Sequence, residues 1–177
     1  MRKTAMITAL TGTAMVLAAC GSGSFVPEDA TFPIMDTKSD QIGTLVITTL
    51  KDGGVELNVA ISELEPGSRA MHIHETGSCV GPDFKSAGGH YNPASVAHGQ
   101  VEDGPHAGDM MNVEVGADGM GRFTVINENV SLRGGERPAL MDSDGSALVI
   151  HGGADDYKSQ PSGAAGPRVA CAAIPAG

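Results

Sequence analysis

Alternating apolar and polar residues predict that most of the chain folds into β-strands. In the stretch VELNVAI, residues 55–61, every second side chain is apolar, which is the period of a half-buried strand. The β-branched run over residues 42–50 precedes it, and Lys-Asp-Gly-Gly between them, residues 51–54, is typical of a hairpin turn. A second pair of strands is predicted over residues 111–115 and 122–126, around a turn at residues 116–121, and a further short strand is predicted over residues 147–151. No segment has a sustained helical period with caps, so the predicted fold is all-β, an antiparallel β-sandwich or flattened barrel.

Two long segments, residues 75–108 and 152–168, break this pattern because they are rich in glycine, proline and polar residues. Loops of that length in a compact domain usually carry a function or are disordered. The remaining sequence contains no internal repeat, so we expect a single domain with two long functional loops.

Composition narrows the classes of function. The chain has 177 residues, of which 41% are hydrophobic, so it is long enough and apolar enough to form one ordinary core. Its formal net charge is −10, only 3% of its residues are aromatic, and it has no basic cluster. This combination argues against a protein that binds nucleic acid.

The N-terminus is typical of an exported protein. Arg2 and Lys3 precede an apolar run that is too short for a spanning helix and that ends in Leu-Ala-Ala-Cys20. This tetrapeptide resembles a bacterial lipobox, in which the cysteine is lipidated and begins the mature chain; an ordinary signal with a chance cysteine is the alternative. The predicted location is the periplasmic side of the bacterial cell envelope, with membrane contact only through lipid on Cys20. We predict a signal peptide over residues 1–19, a lipid-anchored flexible tether over 20–32 and a folded domain over 33–177.

The three cysteines fit this location. If Cys20 carries the lipid, Cys79 and Cys171 remain as a pair in an oxidising compartment, where disulfides persist. Such a bridge would close a loop of about ninety residues, which stabilises the fold by about 4–5 kcal/mol in the chain-entropy model. Two buried free thiols are the alternative.

His72 and His74 are the first sign of a metal site. On a strand, side chains two residues apart point to the same face about 6–7 Å apart, so two imidazoles can converge on one ion. On a helix the same pair would diverge. Met71 and Ile73 would then face the core while the histidines lie outside. Two solvent-exposed histidines on an edge strand are the alternative.

Four further histidines and a carboxylate lie in or beside the two long loops. His90, His98, His106 and Asp109 fall in or just after the first loop, and His151 opens the second. Metal ligation could fix loops that have little apolar core, because ligand bonds supply folding free energy that burial does not. Each residue alone is more typical of a solvated surface, but together they favour a metal centre.

The histidines belong to short motifs that occur in a characteristic order. These are His72-Ile-His74-Glu, Gly88-Gly-His90-Tyr-Asn-Pro93, His98-Gly99, His106-Ala-Gly-Asp109, His151-Gly-Gly-Ala-Asp155-Asp156 and Gly166-Pro-Arg168-Val-Ala-Cys171. Their order and approximate spacing are similar to those of the copper–zinc superoxide dismutases. The resemblance covers about residues 42–174, includes all six histidines and, with the lipobox, is to the bacterial periplasmic branch.

The resemblance implies an antiparallel Greek-key β-sandwich, the architecture known for that family. It also implies an oxidoreductase that converts superoxide to dioxygen and hydrogen peroxide by cycling between Cu(II) and Cu(I), with a structural zinc ion beside the copper. The implied copper ligands are His72, His74, His90 and His151, and the implied zinc ligands are His90, His98, His106 and Asp109.

The remaining roles also come from the resemblance. His90 would bridge the two metals and carry a proton, and Arg168 would attract and orient the superoxide anion, so these are the two implied catalytic residues. Asp155 would link one copper ligand to one zinc ligand. Cys79 and Cys171 would form the intrachain disulfide.

Some properties do not carry over from the family. The segment of residues 156–167 is shorter than the corresponding guidance loop of eukaryotic members and lacks the paired acidic residues of that loop. Steering residues other than Arg168 are therefore not assigned, and both a monomer and a homodimer remain open. The rival interpretations are a non-catalytic periplasmic carrier of copper or zinc on the same sandwich, and a structural surface domain with chance histidines.

Overall fold

Nine β-strands and one short 3-10 helix are found in the described part of the chain. The structure is a computed structural model and describes residues 29–177. The predicted signal peptide and Cys20 lie outside the described residues. Over residues 29–177, no helix has the length and apolar character needed to cross a bilayer. The elements are β1 (Asp29–Asp36), β2 (Gln41–Thr49), β3 (Val55–Ile61), β4 (Gly67–Arg69), β5 (Met71–His74), the 3-10 helix (Lys85–Ala87), β6 (Val113–Val115), β7 (Gly121–Asn127), β8 (Ser146–His151) and β9 (Arg168–Ile174).

Seven strands form one antiparallel sheet in the order β5-β8-β9-β1-β2-β3-β7, and β4 and β6 form a separate two-stranded ladder. β4 runs into edge strand β5 after one residue, and β6 turns back into the other edge strand, β7. The small ladder therefore joins the two edges of the sheet. Side chains from strands far apart in the order, such as Leu57 of β3 and Ile73 of β5, share one core cluster. The sheet curls around this large cluster, which confirms the predicted all-β, antiparallel fold.

Strand β3 has the predicted bounds, and its four apolar side chains are all buried. The turn before it is closed by a hydrogen bond from the Gly53 N–H to the Leu50 carbonyl, 3.0 Å long. Gly53 has φ +94°, a conformation that side chains other than glycine rarely adopt. β2, β7 and β8 begin and end within one residue of the predicted strands, whereas β6 begins at Val113 instead of residue 111.

Strand β1 differs from the prediction, because the sequence predicts a tether up to residue 32, whereas residues 29–32 begin this strand. Phe32 and Ile34 are buried in the core, and β1 pairs with β2 along most of its length. Pro33 makes this strand hard to predict from the sequence, because proline has no N–H to donate to a neighbouring strand. It is tolerated here because β9 pairs with β1 only at Met35 and Asp36. Strands β4 and β9 were also not predicted.

Candidate metal centre

The alternation of side chains on β5 places two histidines opposite the core. Met71 and Ile73 lie in the core cluster, so His72 and His74 point to the other face of the sheet, as predicted. The prediction that they lie outside is wrong in one respect, because His72 is 0% and His74 1% exposed. Both histidines are covered by the two segments that connect strands on this side of the sheet, residues 75–112 and 152–167.

Four histidines form the first cluster. His90 reaches β5 through an isolated bridge to His74, and His151 ends β8, the neighbour of β5 in the sheet, at a register shift after Ile150. One ring nitrogen from each of the four lies within 4.8 Å of the others. The members of this copper-type cluster, so named for its all-nitrogen donors, are His72, His74, His90 and His151.

A second cluster shares one residue with the first. It contains three histidines and a carboxylate, again with one donor atom from each within 4.8 Å of the others. We call it the zinc-type cluster; its members are His90, His98, His106 and Asp109. The structure therefore brings together every histidine and carboxylate that the sequence predicted as a metal ligand.

Each histidine has one buried ring nitrogen without a hydrogen-bond partner. Buried polar atoms are rarely left unpaired, so six together require an explanation. The Nδ1 atoms of His98 and His106 lie 3.0 and 3.3 Å from Asp109 Oδ1, but not in hydrogen-bond geometry. Donor atoms that share an ion show this arrangement, so the residues present fit bound metals. The unpaired atoms are His72 Nδ1, His74 Nε2, His90 Nε2, His98 Nδ1, His106 Nδ1 and His151 Nε2.

Hydrogen bonds at the other ring nitrogen orient four of these histidines. Asp155 is buried between the clusters, and its Oδ2 lies 2.8 Å from His72 Nε2 while its Oδ1 lies 3.1 Å from His98 Nε2. His74 Nδ1 donates to the Gly88 carbonyl at 3.0 Å, and His151 Nδ1 donates to the Gly166 carbonyl at 3.2 Å. Each bond places the proton on the outer nitrogen and leaves the inner lone pair free for a metal.

The charge states of the ligands also suit metal binding. Burial lowers the pKa of His74 to about 2 and that of His151 to about 4, so both rings are neutral at neutral pH. Burial alone would raise the pKa of Asp109, but hydrogen bonds from His90 and from the backbone N–H groups of Gly99 and His106 lower it instead. His74 and His151 therefore offer neutral imidazoles and Asp109 an ionised carboxylate, the forms that bind cations.

Arg168 lies at the start of β9 beside a cavity of about 580 Å³. Its guanidinium donates to the Phe84 carbonyl at 2.7 Å and to the Gly88 carbonyl at 2.6 Å. Gly88 thus accepts from both Arg168 and His74, and so ties the arginine to the copper-type cluster. The cavity is also lined by His74, His90, His106 and His151. A small anion that enters it from solvent therefore meets the cationic Arg168 beside these metal-ligand histidines.

The disulfide fastens the first loop to the sheet. Cys79 and Cys171 are bonded with their Cα atoms 5.8 Å apart, 92 residues apart in sequence. This confirms the predicted bridge and excludes the alternative of two free thiols. Cys171 lies three residues after Arg168 on β9, so the bridge holds the loop that supplies the Phe84 and Gly88 carbonyls against the strand that supplies the arginine.

Residues 41–174 match the protein family described as copper/zinc superoxide dismutase. The chain belongs to the copper/zinc superoxide dismutase family. A copper–zinc superoxide dismutase from Aquifex aeolicus is 45% identical over 143 residues, which cover 80% of this chain and 84% of that protein. Another, from Caulobacter vibrioides, is 46% identical over 132 residues, covering 73% and 76% of the two chains.

Solved structures agree with this family assignment. The superoxide dismutase from Brucella abortus superposes with a TM-score of 0.66 at 29% identity, covering 83% of this chain and 99% of that one. A superoxide dismutase-like protein from Bacillus subtilis gives a TM-score of 0.78 at 40% identity over 81% and 97% of the two chains. Membership confirms the predicted enzyme class, the superoxide dismutase function and the copper and zinc cofactors.

Sequence reasoning missed the groups that orient the ligands. Three of these groups are the backbone carbonyls of Phe84, Gly88 and Gly166. Every residue has a backbone carbonyl, so residue type does not predict this role. Asn112, which bonds to the backbone of Asp155, precedes a short strand and carries no motif. Only the glycine pairs next to His90 and His151 could have indicated that backbone approaches the rings closely there.

Proposed function

We propose that the copper-type cluster binds the copper ion at which superoxide reacts, and that the zinc-type cluster binds a structural zinc ion. The observation that carries this proposal is the position of His90, the residue common to both clusters. Its Nε2 is unpaired among the copper-type donors, while its Nδ1 lies 2.9 Å from Asp109 in the zinc-type cluster. One imidazole can therefore serve two ions, one at each nitrogen.

The donor sets support this division between the metals. Four imidazole nitrogens suit copper, which also stands highest in the affinity series of divalent metals. Three imidazoles and one carboxylate suit a closed structural zinc site. When bound, copper supplies the one-electron exchange by which superoxide becomes dioxygen and hydrogen peroxide. The protein holds the donors in place and leaves the copper-type cluster open to the cavity through His74, His90 and His151.

Two residues of the chain act on the substrate. Arg168 offers its positive charge at the wall of the cavity and, because two carbonyls fix its guanidinium, it orients an anion without reorganising. His90 also lines this cavity and would pass a proton to the reduced product. Asp155 fixes the rings of His72 and His98, so that both clusters keep their geometry through the reaction.

Arg168 separates an enzyme from a metal carrier, because a carrier needs no group to attract an anion. Replacing Arg168 by alanine is expected to lower the second-order rate of superoxide removal roughly tenfold and to flatten its dependence on salt. The metal content should stay unchanged. The measurement is superoxide decay by pulse radiolysis at several ionic strengths.

Lys85→Ala is the matched control for this arginine. It removes the same charge near Arg168, but Lys85 is paired with Asp83 at 2.7 Å and its side chain is 83% exposed. We expect little change in its rate, whereas Arg168→Lys should keep part of the attraction. An unchanged rate in Arg168→Ala would show that Arg168 does not steer the substrate.

We also propose that the chain is exported, that Cys20 carries lipid, and that the folded domain lies on the periplasmic side of the cell envelope. The support is the sequence of residues 1–20 and the disulfide, since disulfides persist in oxidising compartments. Labelling of cells with radioactive palmitate should mark the protein. Loss of the label in Cys20→Ser would support the proposal, and persistence of the label would contradict it.

A further inference from the structure

Tyr157, in the second loop, makes three hydrogen bonds, two of them to the first loop. Its hydroxyl oxygen accepts the N–H of Asn112 at 2.8 Å, its carbonyl accepts the N–H of Gln100 at 2.8 Å, and its own N–H donates to Asp155 Oδ1 at 2.6 Å. The contact is close, because a Cβ on Gly99 would lie 2.2 Å from the Tyr157 carbonyl oxygen. Gly99 in turn donates its N–H to Asp109 of the zinc-type cluster. Tyr157 thus lies outside both clusters, but it is hydrogen-bonded to Asp155 and packs against Gly99, the residue that donates to Asp109.

Asn112 continues the chain of contacts from the tyrosine hydroxyl to Asp155. Its side-chain amide donates to the Asp155 carbonyl at 2.9 Å, and its side-chain oxygen accepts the Asp155 N–H at 2.8 Å. This two-point pairing fixes the backbone of Asp155 much as a neighbouring strand would. The carboxylate of the same residue contacts His72 of one cluster and His98 of the other.

We infer that the Tyr157 hydroxyl is a positioning group: through Asn112 it holds Asp155 against His72 and His98 and so supports both metal sites from outside. The hydroxyl fixes the backbone of Asn112, Asn112 fixes the backbone of Asp155, and Asp155 fixes the two rings. Without the hydroxyl, the Asn112 N–H loses its partner and the amide pairing loosens. The inference rests on the proposed assignment of the two metals to the two clusters.

Replacing Tyr157 by phenylalanine tests this inference, because it removes one oxygen atom and keeps the ring. In the copper- and zinc-loaded protein we expect zinc to pass to a colorimetric chelator about tenfold faster than in the unmodified protein. That value is the lower end of the effect expected when a group supporting a metal ligand is lost. The electron paramagnetic resonance spectrum of Cu(II) should also change, since Asp155 contacts His72. A residue that stabilised only the fold would leave this spectrum unaltered.

Tyr91→Phe is the matched control, since Tyr91 is the chain's other tyrosine. Its hydroxyl donates to the Ala139 carbonyl at 2.7 Å, away from Asp155, and its side chain is buried. We expect Tyr91→Phe to lower the unfolding midpoint while leaving zinc release and the copper spectrum unchanged. Equal zinc release in Tyr157→Phe and the unmodified protein would overturn the inference, as would equal acceleration in the two tyrosine variants.

A double-mutant cycle tests the path through Asn112. If the hydroxyl acts through Asn112, then Tyr157→Phe adds no further acceleration of zinc release in an Asn112→Ala background. An undiminished tenfold effect in that background would overturn the path. Unmodified protein that binds no zinc would count against the proposed metal sites instead, so the two failures are distinguishable.

Discussion

Replacing His90 by alanine is expected to deprive the chain of its zinc, reduce its copper content and lower superoxide removal by more than about 100-fold. His90 belongs to both metal clusters, so its loss leaves three donors in each. Losing a group that merely supports a ligand costs roughly 10–100-fold in metal affinity, and losing a shared ligand must cost more. The substitution also removes the atom that carries a proton to the product.

Two single-cluster variants serve as controls for His90→Ala. His106→Ala removes a donor from the zinc-type cluster alone, and His74→Ala removes one from the copper-type cluster alone. Metal content is measured by mass spectrometry of the purified chains after loading with both ions. We expect the first variant to lose zinc and keep copper, and the second to lose copper and keep zinc. A His90→Ala chain that holds both metals at the unmodified stoichiometry would show that His90 is not shared.

Much of the metal centre is predictable because metal ligands are side chains with restricted chemistry. His72 and His74 sit at strand spacing, and the period of two that places Met71 and Ile73 in the core also places the histidines together. Resemblance to the family then identified the partners in the loops, and the structure brings all of them to the same place. The all-β fold follows from the same alternation in β2, β3, β7 and β8.

Other features depend on contacts that a sequence does not carry. The histidines of β5 appear exposed from the strand pattern alone, and they are buried only because two long loops fold across that face. The Gly88 carbonyl orients both His74 and Arg168, yet any residue has a carbonyl. Strand β1 escaped prediction because Pro33 is unfavourable in a paired strand and is tolerated only where β9 does not pair. The role of Tyr157 depends on Asn112, 45 residues away in sequence, so no local motif indicates it.

Copper removal is the second change expected to have a very large effect, and it tests the central claim that this chain is a superoxide dismutase working at the copper-type cluster. The measurement is superoxide decay by pulse radiolysis with apo, zinc-only, copper-only and copper–zinc protein, each checked for metal content. We predict one copper and one zinc per chain at saturation. Decay should accelerate only in the two copper-containing forms and be fastest with both metals. Fully loaded copper–zinc protein that leaves superoxide decay at the rate of the apo chain would contradict the account.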